Sequence, residues 1–216
     1  MSFLIRGGRC AQCGGPRPVR QAVVELLTGL SLVYAWNWAQ GDWLKFLTGA
    51  TLLVVSLLIA VIDIEHRLIL WRVILPSAVI VGLLNSLLPD RGPTKTLWGG
   101  LGGYAIVFGV YGLSQLLALG LARLRGQPLE EVAFGGGDVN LAGVVGLAVG
   151  WPGVILALLV TIVTAGMFSL LYLGVLLVRG RYRPYAVAFP YGPFLILGAL
   201  VLYFYGRDFV AWYAGR

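Results

Sequence analysis

The sequence predicts an all-α fold: a polytopic transmembrane helix bundle of about seven spanning segments, with its amino end on the cytoplasmic side. Three observations lead there. Of 216 residues, 59% are hydrophobic and only 12% are charged, against about 25% charged in an ordinary soluble domain. The apolar residues gather into long runs, giving a mean hydropathy of +0.87. The basic residues fall between those runs and chiefly on alternate sides of them. A chain surrounded by lipid must satisfy its backbone internally, so the runs read as helices.

The first segment covers Gln21 to Ala39, with Glu25 near its start. The second, Trp43 to Ile62, carries no charge between Phe46 and Ile62. The third covers Val73 to Leu88 and the fourth Leu97 to Leu121. The fifth, Val139 to Trp151, is glycine-rich and short of the roughly 20 residues that a spanning helix needs. It is expected to be a short helix buried among its neighbours rather than a re-entrant loop. The sixth runs from Gly153 to Val178 and the seventh from Tyr191 to Tyr205. Gly99 and Gly103, and Gly146 and Gly150 with Gly143 nearby, have the four-residue spacing that lets helix backbones approach closely.

With the amino end inside, 11 of the 16 Lys and Arg residues lie on the inner side, in clusters such as Arg6/Arg9/Arg17/Arg20, Arg67/Arg72, Arg123/Arg125 and Arg179/Arg181/Arg183. The outer side holds Lys45, Arg91, Lys95, Arg207 and Arg216. This is the positive-inside distribution. The net charge of +7 therefore belongs to membrane orientation, and no nucleic-acid partner is expected. Met1 to Arg20 is basic and Gly/Pro-rich, unlike a cleavable signal peptide. Cys10 and Cys13, spaced C-x-x-C, cannot staple seven helices.

Carboxylates are costly in hydrocarbon, so each one calls for an explanation. Of nine acidic residues, Asp42, Asp90, Asp208, Glu130 and Glu131 fall in loops and read as solvated charges. Glu25, Asp63, Glu65 and Asp138 lie at the predicted cytoplasmic ends of apolar segments. Asp63 ends the second run and Asp138 begins the fifth, after Gly135, Gly136 and Gly137. Two carboxylates from distant parts of the chain would then meet at one depth, an arrangement that can activate water for peptide hydrolysis. The glycines would allow positive φ and close approach to a substrate strand. From spacing alone, an N-cap role for Asp138 and an interfacial charge for Asp63 stay open.

Four ordered motifs extend this reading. Phe134 to Trp151, FGGGDVNLAGVVGLAVGW, resembles the G-x-G-D segment of type IV prepilin peptidases, which are intramembrane aspartyl proteases. Ala60 to Leu70, AVIDIEHRLIL, resembles the segment carrying that family's first aspartate. Phe189 to Gly198, FPYGPFLILG, resembles its P-[FY]-G-P-F-L stretch, and Val23 to Gly29, VVELLTG, its V-E-L-x-T-G stretch. The resemblance implies that Asp63 and Asp138 are the catalytic dyad. It further implies that Gly135, Gly137, Pro190, Gly192 and Pro193 shape the site. The implied reaction is removal of the short basic leader of a prepilin or pseudopilin at the cytoplasmic face of the bacterial inner membrane. Glu25 reads either as a contact for the positive leader or as a helix–helix hydrogen-bonding residue. Pro190 and Pro193 equally suit a helix start.

The chain departs from the family pattern in two places, the first of which bears on cofactors. Its longer members have a further helix and a cytoplasmic domain with two C-x-x-C pairs, associated with zinc and with methyl transfer from S-adenosylmethionine. Residues 1–20 look like a remnant of that domain, leaving 21–216 as the peptidase domain. Cys10 and Cys13 are a half-site for a metal that takes four ligands. Proteolysis itself calls for no cofactor. Asn140 stands where the family often has Lys, and His66, beside Glu65 and Arg67, reads as a polar interface residue. Competing readings are an inactive, partner-binding membrane homologue and a small proton-coupled transporter. The latter is disfavoured because the acids cluster at one face and no inverted repeat is visible. Neither the oligomeric state nor the particular pilin follows from the sequence.

Overall fold

A computed structural model describes residues 19–66, 68–125, 135–179 and 191–213. Among these residues the regular structure is entirely helical: α1 Val19–Ala39, α2 Trp43–His66, α3 Trp71–Leu87, α4 Gly92–Arg125, α5 Gly136–Val149, α6 Gly153–Val178 and α7 Gly192–Tyr213. The helices α2, α4 and α6 are long and apolar enough to cross a membrane, while α3, α5 and the Gly192–Gly206 part of α7 are apolar but shorter. The first helix falls in neither group. It matches a predicted segment in position, but Arg20 and Glu25 sit in its opening turns.

The chain divides between Leu58 and Ile59 into two compact bodies. In the first, Asp42 caps α2. Its Oδ1 accepts the Leu44 amide at 3.0 Å and the Lys45 amide at 3.2 Å, and Oδ2 pairs with Lys45 Nζ at 3.4 Å. The Lys45 amide bond is the main reason that this carboxyl lies below its ordinary pKa. Asp42 is thus a helix cap as well as the solvated charge expected from the sequence. Trp36, Trp43 and Phe46 form an edge-to-face cluster with centroids 5.3–6.0 Å apart. Aromatic groups of this kind favour the level of lipid headgroups.

The second body is built around α5. This helix is only 14 residues long, yet Val139, Leu141, Ala142, Val144, Val145, Gly146 and Ala148 are all buried. The expectation of a short helix shielded by its neighbours is met. Leu147 fills the space beside Gly82 of α3 and Gly100 of α4. Between α4 and α5 the contact is backbone on backbone. A Cβ on Gly146 would overlap the Gly99 carbonyl, and one on Gly103 would overlap the Ala142 carbonyl. The predicted small-residue pairs therefore face each other across an antiparallel helix contact. Gly150 serves differently. At φ 78° it closes α5, its amide donating to Gly146 O at 2.8 Å.

The carboxyl end of α5 has a second support that no sequence pattern signals. The helix ends at Val149 with Gly150 as its C-cap, so the Ala148 carbonyl is one of the last-turn carbonyls without an intrahelical donor. Arg91 supplies one. Its Nη1 donates to Ala148 O and, at 3.0 Å, to Oδ1 of the fully buried Asn85, while the guanidinium lies 4.1 Å from the centroid of Tyr203. One side chain thereby ties α3, α5 and α7 at a helix carboxyl end, where a cation is favoured. Arg91→Met should leave the Ala148 carbonyl without its donor, at a cost of about 1–3 kcal/mol. Thermal unfolding of the purified protein in detergent should show a lower midpoint.

Against α6, Gly198 of α7 packs so tightly that a Cβ would overlap the Ala157 carbonyl and Thr161 Oγ1. Thr161 Oγ1 donates to Ala157 O at 2.8 Å and to Phe194 O at 3.2 Å. These contacts set the height at which α7 begins, and with it the position of Gly192.

Candidate active site

Asp63 lies inside α2, in its last turn, and not just beyond the helix. The chain stays helical through Ile64, Glu65 and His66. Its carboxylate is buried, with the residue 4% exposed, and Oδ2 accepts no hydrogen bond from any described residue. An unpaired buried carboxylate oxygen is costly for a purely structural residue. Glu65 and His66 lie two and three residues further on, 3.8 Å apart at Oε2 and Nε2. This fits the polar-boundary role expected of His66.

Asp138 lies in the first turn of α5. The N-cap is Gly135, at φ −88° and ψ 149°, and Asp138 is the third helical residue. Its Oδ2 accepts the Gly135 amide at 3.2 Å, while its own amide donates to Gly135 O at 3.1 Å. The open N-cap alternative therefore resolves into half of a capping box. This local bond fixes the carboxyl group at the helix mouth. The Asp63 and Asp138 carboxylates lie within electrostatic reach of one another.

The positive φ expected of the glycines is not found. None of Gly135, Gly136 and Gly137 has positive φ. Gly137 is required for close packing: a Cβ there would stand 2.7 Å from Ile69 Cβ. The Leu68–Leu70 link is thus pressed against the amino end of α5, which brings the aspartate-bearing ends of α2 and α5 together. Beside the link, Ile59, Ile62, Val73 and Ile74 line a shallow apolar crevice.

The third motif reaches the same place. A Cβ on Gly192 would overlap Asp63 Oδ2 and lie 3.1 Å from Asp63 Cγ. Tyr191, half-buried, is within electrostatic reach of Asp138. Pro193 occupies the first turn of α7, as its helix-start reading requires. Glu25 lies half-buried in the second turn of α1, in the first body. Pro190, Cys10 and Cys13 lie outside the described residues. Among the described residues no three His, Cys, Asp or Glu side chains converge as a metal site, and two cysteines are half of a structural zinc set.

The site is recessed. The pairings of Gly146 with Gly99 and of Ala142 with Gly103 put Asp138 near the level of Val107 on α4. From there α4 continues to Arg125, about 27 Å of helix at 1.5 Å per residue. At that same rise α5 is only about 21 Å long, short of the roughly 30 Å hydrocarbon core. The acids lie at the ends of their own helices, as expected, but not at the end of α4.

The helices define the class as a multi-pass helical membrane protein, and the aspartates of α2 and α5 meet beside a glycine turn and a Tyr-Gly-Pro helix start. The chain belongs to the type IV leader peptidase family, whose model matches residues 50–170. Residues 1–38 match the bacterial peptidase A24 N-terminal domain. The chain is 28% identical over 215 residues to a prepilin leader peptidase/N-methyltransferase of Legionella pneumophila, covering 100% of this chain and 69% of the relative. It is 27% identical over 216 residues to the protein of that name from Stutzerimonas stutzeri, covering 99% and 68%. With the one from Aeromonas salmonicida it shares 28% over 217 residues, covering 99% and 67%. No solved structure gives a significant match.

Proposed function

We propose that this multi-pass membrane protein is the endopeptidase that removes the leader of a prepilin or pseudopilin, with Asp63 and Asp138 as its catalytic dyad. The observation that carries this reading is the approach of two carboxylates from α2 and α5, one of them buried with an unpaired oxygen. The ionised member takes a proton from water while the protonated member donates to the scissile carbonyl oxygen. The new hydroxyl adds to the carbonyl carbon. Proton transfer to the peptide nitrogen then lets the C–N bond break, giving a new carboxylate on the leader and a new amine on the pilin. Every proton is supplied by water or the dyad.

The excess of basic residues on the inner segments supports placement in the bacterial inner membrane with the site reached from the cytoplasm. On this reading Gly135, Gly137, Pro190, Gly192 and Pro193 shape the site and residues 21–216 form the peptidase domain, while Glu25 keeps both its readings, a contact for the basic leader or a helix–helix hydrogen-bonding residue. Cys10 and Cys13 are two of the four ligands that a structural zinc takes, and hydrolysis by the dyad uses neither zinc nor S-adenosylmethionine.

The test is co-expression with a type IV prepilin in a bacterium lacking its own leader peptidase. Mass spectrometry should find the pilin shortened at its amino end by the leader. Full-length prepilin beside properly inserted protein would overturn the reading.

A further inference from the structure

The first turn of α7 leaves one amide without a helical or turn acceptor among the described residues. Phe194 and Leu195 donate to Tyr191 O at 3.1 and 3.3 Å, and Pro193 has no N–H. The Gly192 amide remains, and it faces the Asp63 carboxylate. That carboxylate is 4% exposed, and its Oδ2 is the atom that a Gly192 Cβ would strike. A helix amino end carries partial positive charge and free amides suited to an anion. Here a buried carboxylate is pressed against that end with no side chain between.

We infer that Gly192 is a positioning residue for Asp63: the bare backbone at the head of α7 holds the carboxylate in its reactive place. The inference rests on the dyad reading above. Asp138 on α5, Tyr191 ahead of α7, and Glu65 and His66 on α2 itself are the other titratable groups nearby among the described residues. None occupies the position of Gly192. Any side chain at residue 192 has to displace the carboxylate or the start of α7.

Two readouts test this. Gly192→Ala should lower kcat about 100-fold, the order expected from a displacement near 1 Å, with KM for the prepilin unchanged. The second readout needs no activity. Gly192→Ala should lower the thermal unfolding midpoint clearly when Asp63 is present and much less in an Asp63→Ala background, where the struck carboxylate is gone. Gly198→Ala, which strikes α6 instead, should lower the midpoint equally in both backgrounds. Equal destabilisation by Gly192→Ala in both backgrounds, or an unchanged kcat, overturns the inference. Cleavage surviving in Asp63→Asn would instead overturn the dyad reading, so the two failures are distinguishable.

Discussion

Asp63→Asn and Asp138→Asn are each expected to abolish leader cleavage while the protein still inserts and folds. Asparagine keeps the volume and polarity of aspartate, so α2 and α5 lose no packing. At position 138 the amide oxygen can still accept the Gly135 N–H that the carboxylate accepts at 3.2 Å. What disappears is the capacity to exchange a proton with water or with a carbonyl oxygen. Loss of one member of a concerted catalytic unit typically costs roughly 10⁴-fold or more in kcat. Asp63→Asn also removes a buried charge whose burial outweighs the single Gly192 amide that faces it, so its thermal stability should equal or exceed that of the native protein. Cleavage assays and unfolding midpoints on the same preparations separate the two effects.

The second large effect is expected at the contact between α4 and α5. Gly146→Leu has no available space, because the obstacle is the Gly99 carbonyl and the neighbouring Gly100 Cα, not a movable side chain. Overpacking a filled site usually costs about 1–3 kcal/mol and sometimes more. A backbone obstacle offers no rotamer to relieve it. Since α5 carries Asp138 in its first turn, the helix displacement should lower stability and cleavage together. Gly109→Leu on α4 is the matched control, since nothing lies within 4 Å of a Cβ there. It should retain both. Yield of folded protein, unfolding midpoint and prepilin processing of the two variants check the prediction.

Much of the fold was legible because lipid is a severe solvent. Runs such as Phe46–Ile62 cannot be mistaken for soluble structure, and the sixth segment ran from Gly153 to Val178 as the helix does. Segment ends moved where a polar or small residue joins a helix. Thus α4 begins at Gly92-Pro93 and α5 within the glycines. Asp63 and Asp138 stood out because acids bordering hydrocarbon are rare and the motifs around them are ordered. The partners of those acids were not legible. Nothing local to Gly192 says that it abuts Asp63, five helices earlier in the chain, and nothing near Gly137 predicts Ile69. The glycines read as allowing positive φ and close approach to a substrate strand; none has positive φ, and Gly137 closes on its own chain. Arg91 looks like an ordinary outer-loop charge, because its work depends on a carbonyl left free at the end of another helix. Such signals are long-range and leave no periodicity to read.

Whether Asp63 and Asp138 act as one unit is decided by comparing Asp63→Asn, Asp138→Asn and the double variant, using purified protein and one prepilin under single-turnover conditions. The double variant should cleave no more slowly than either single variant, since losing either carboxyl already disables the pair. Independent, multiplying losses, or near-native cleavage by either single variant, would contradict a concerted dyad.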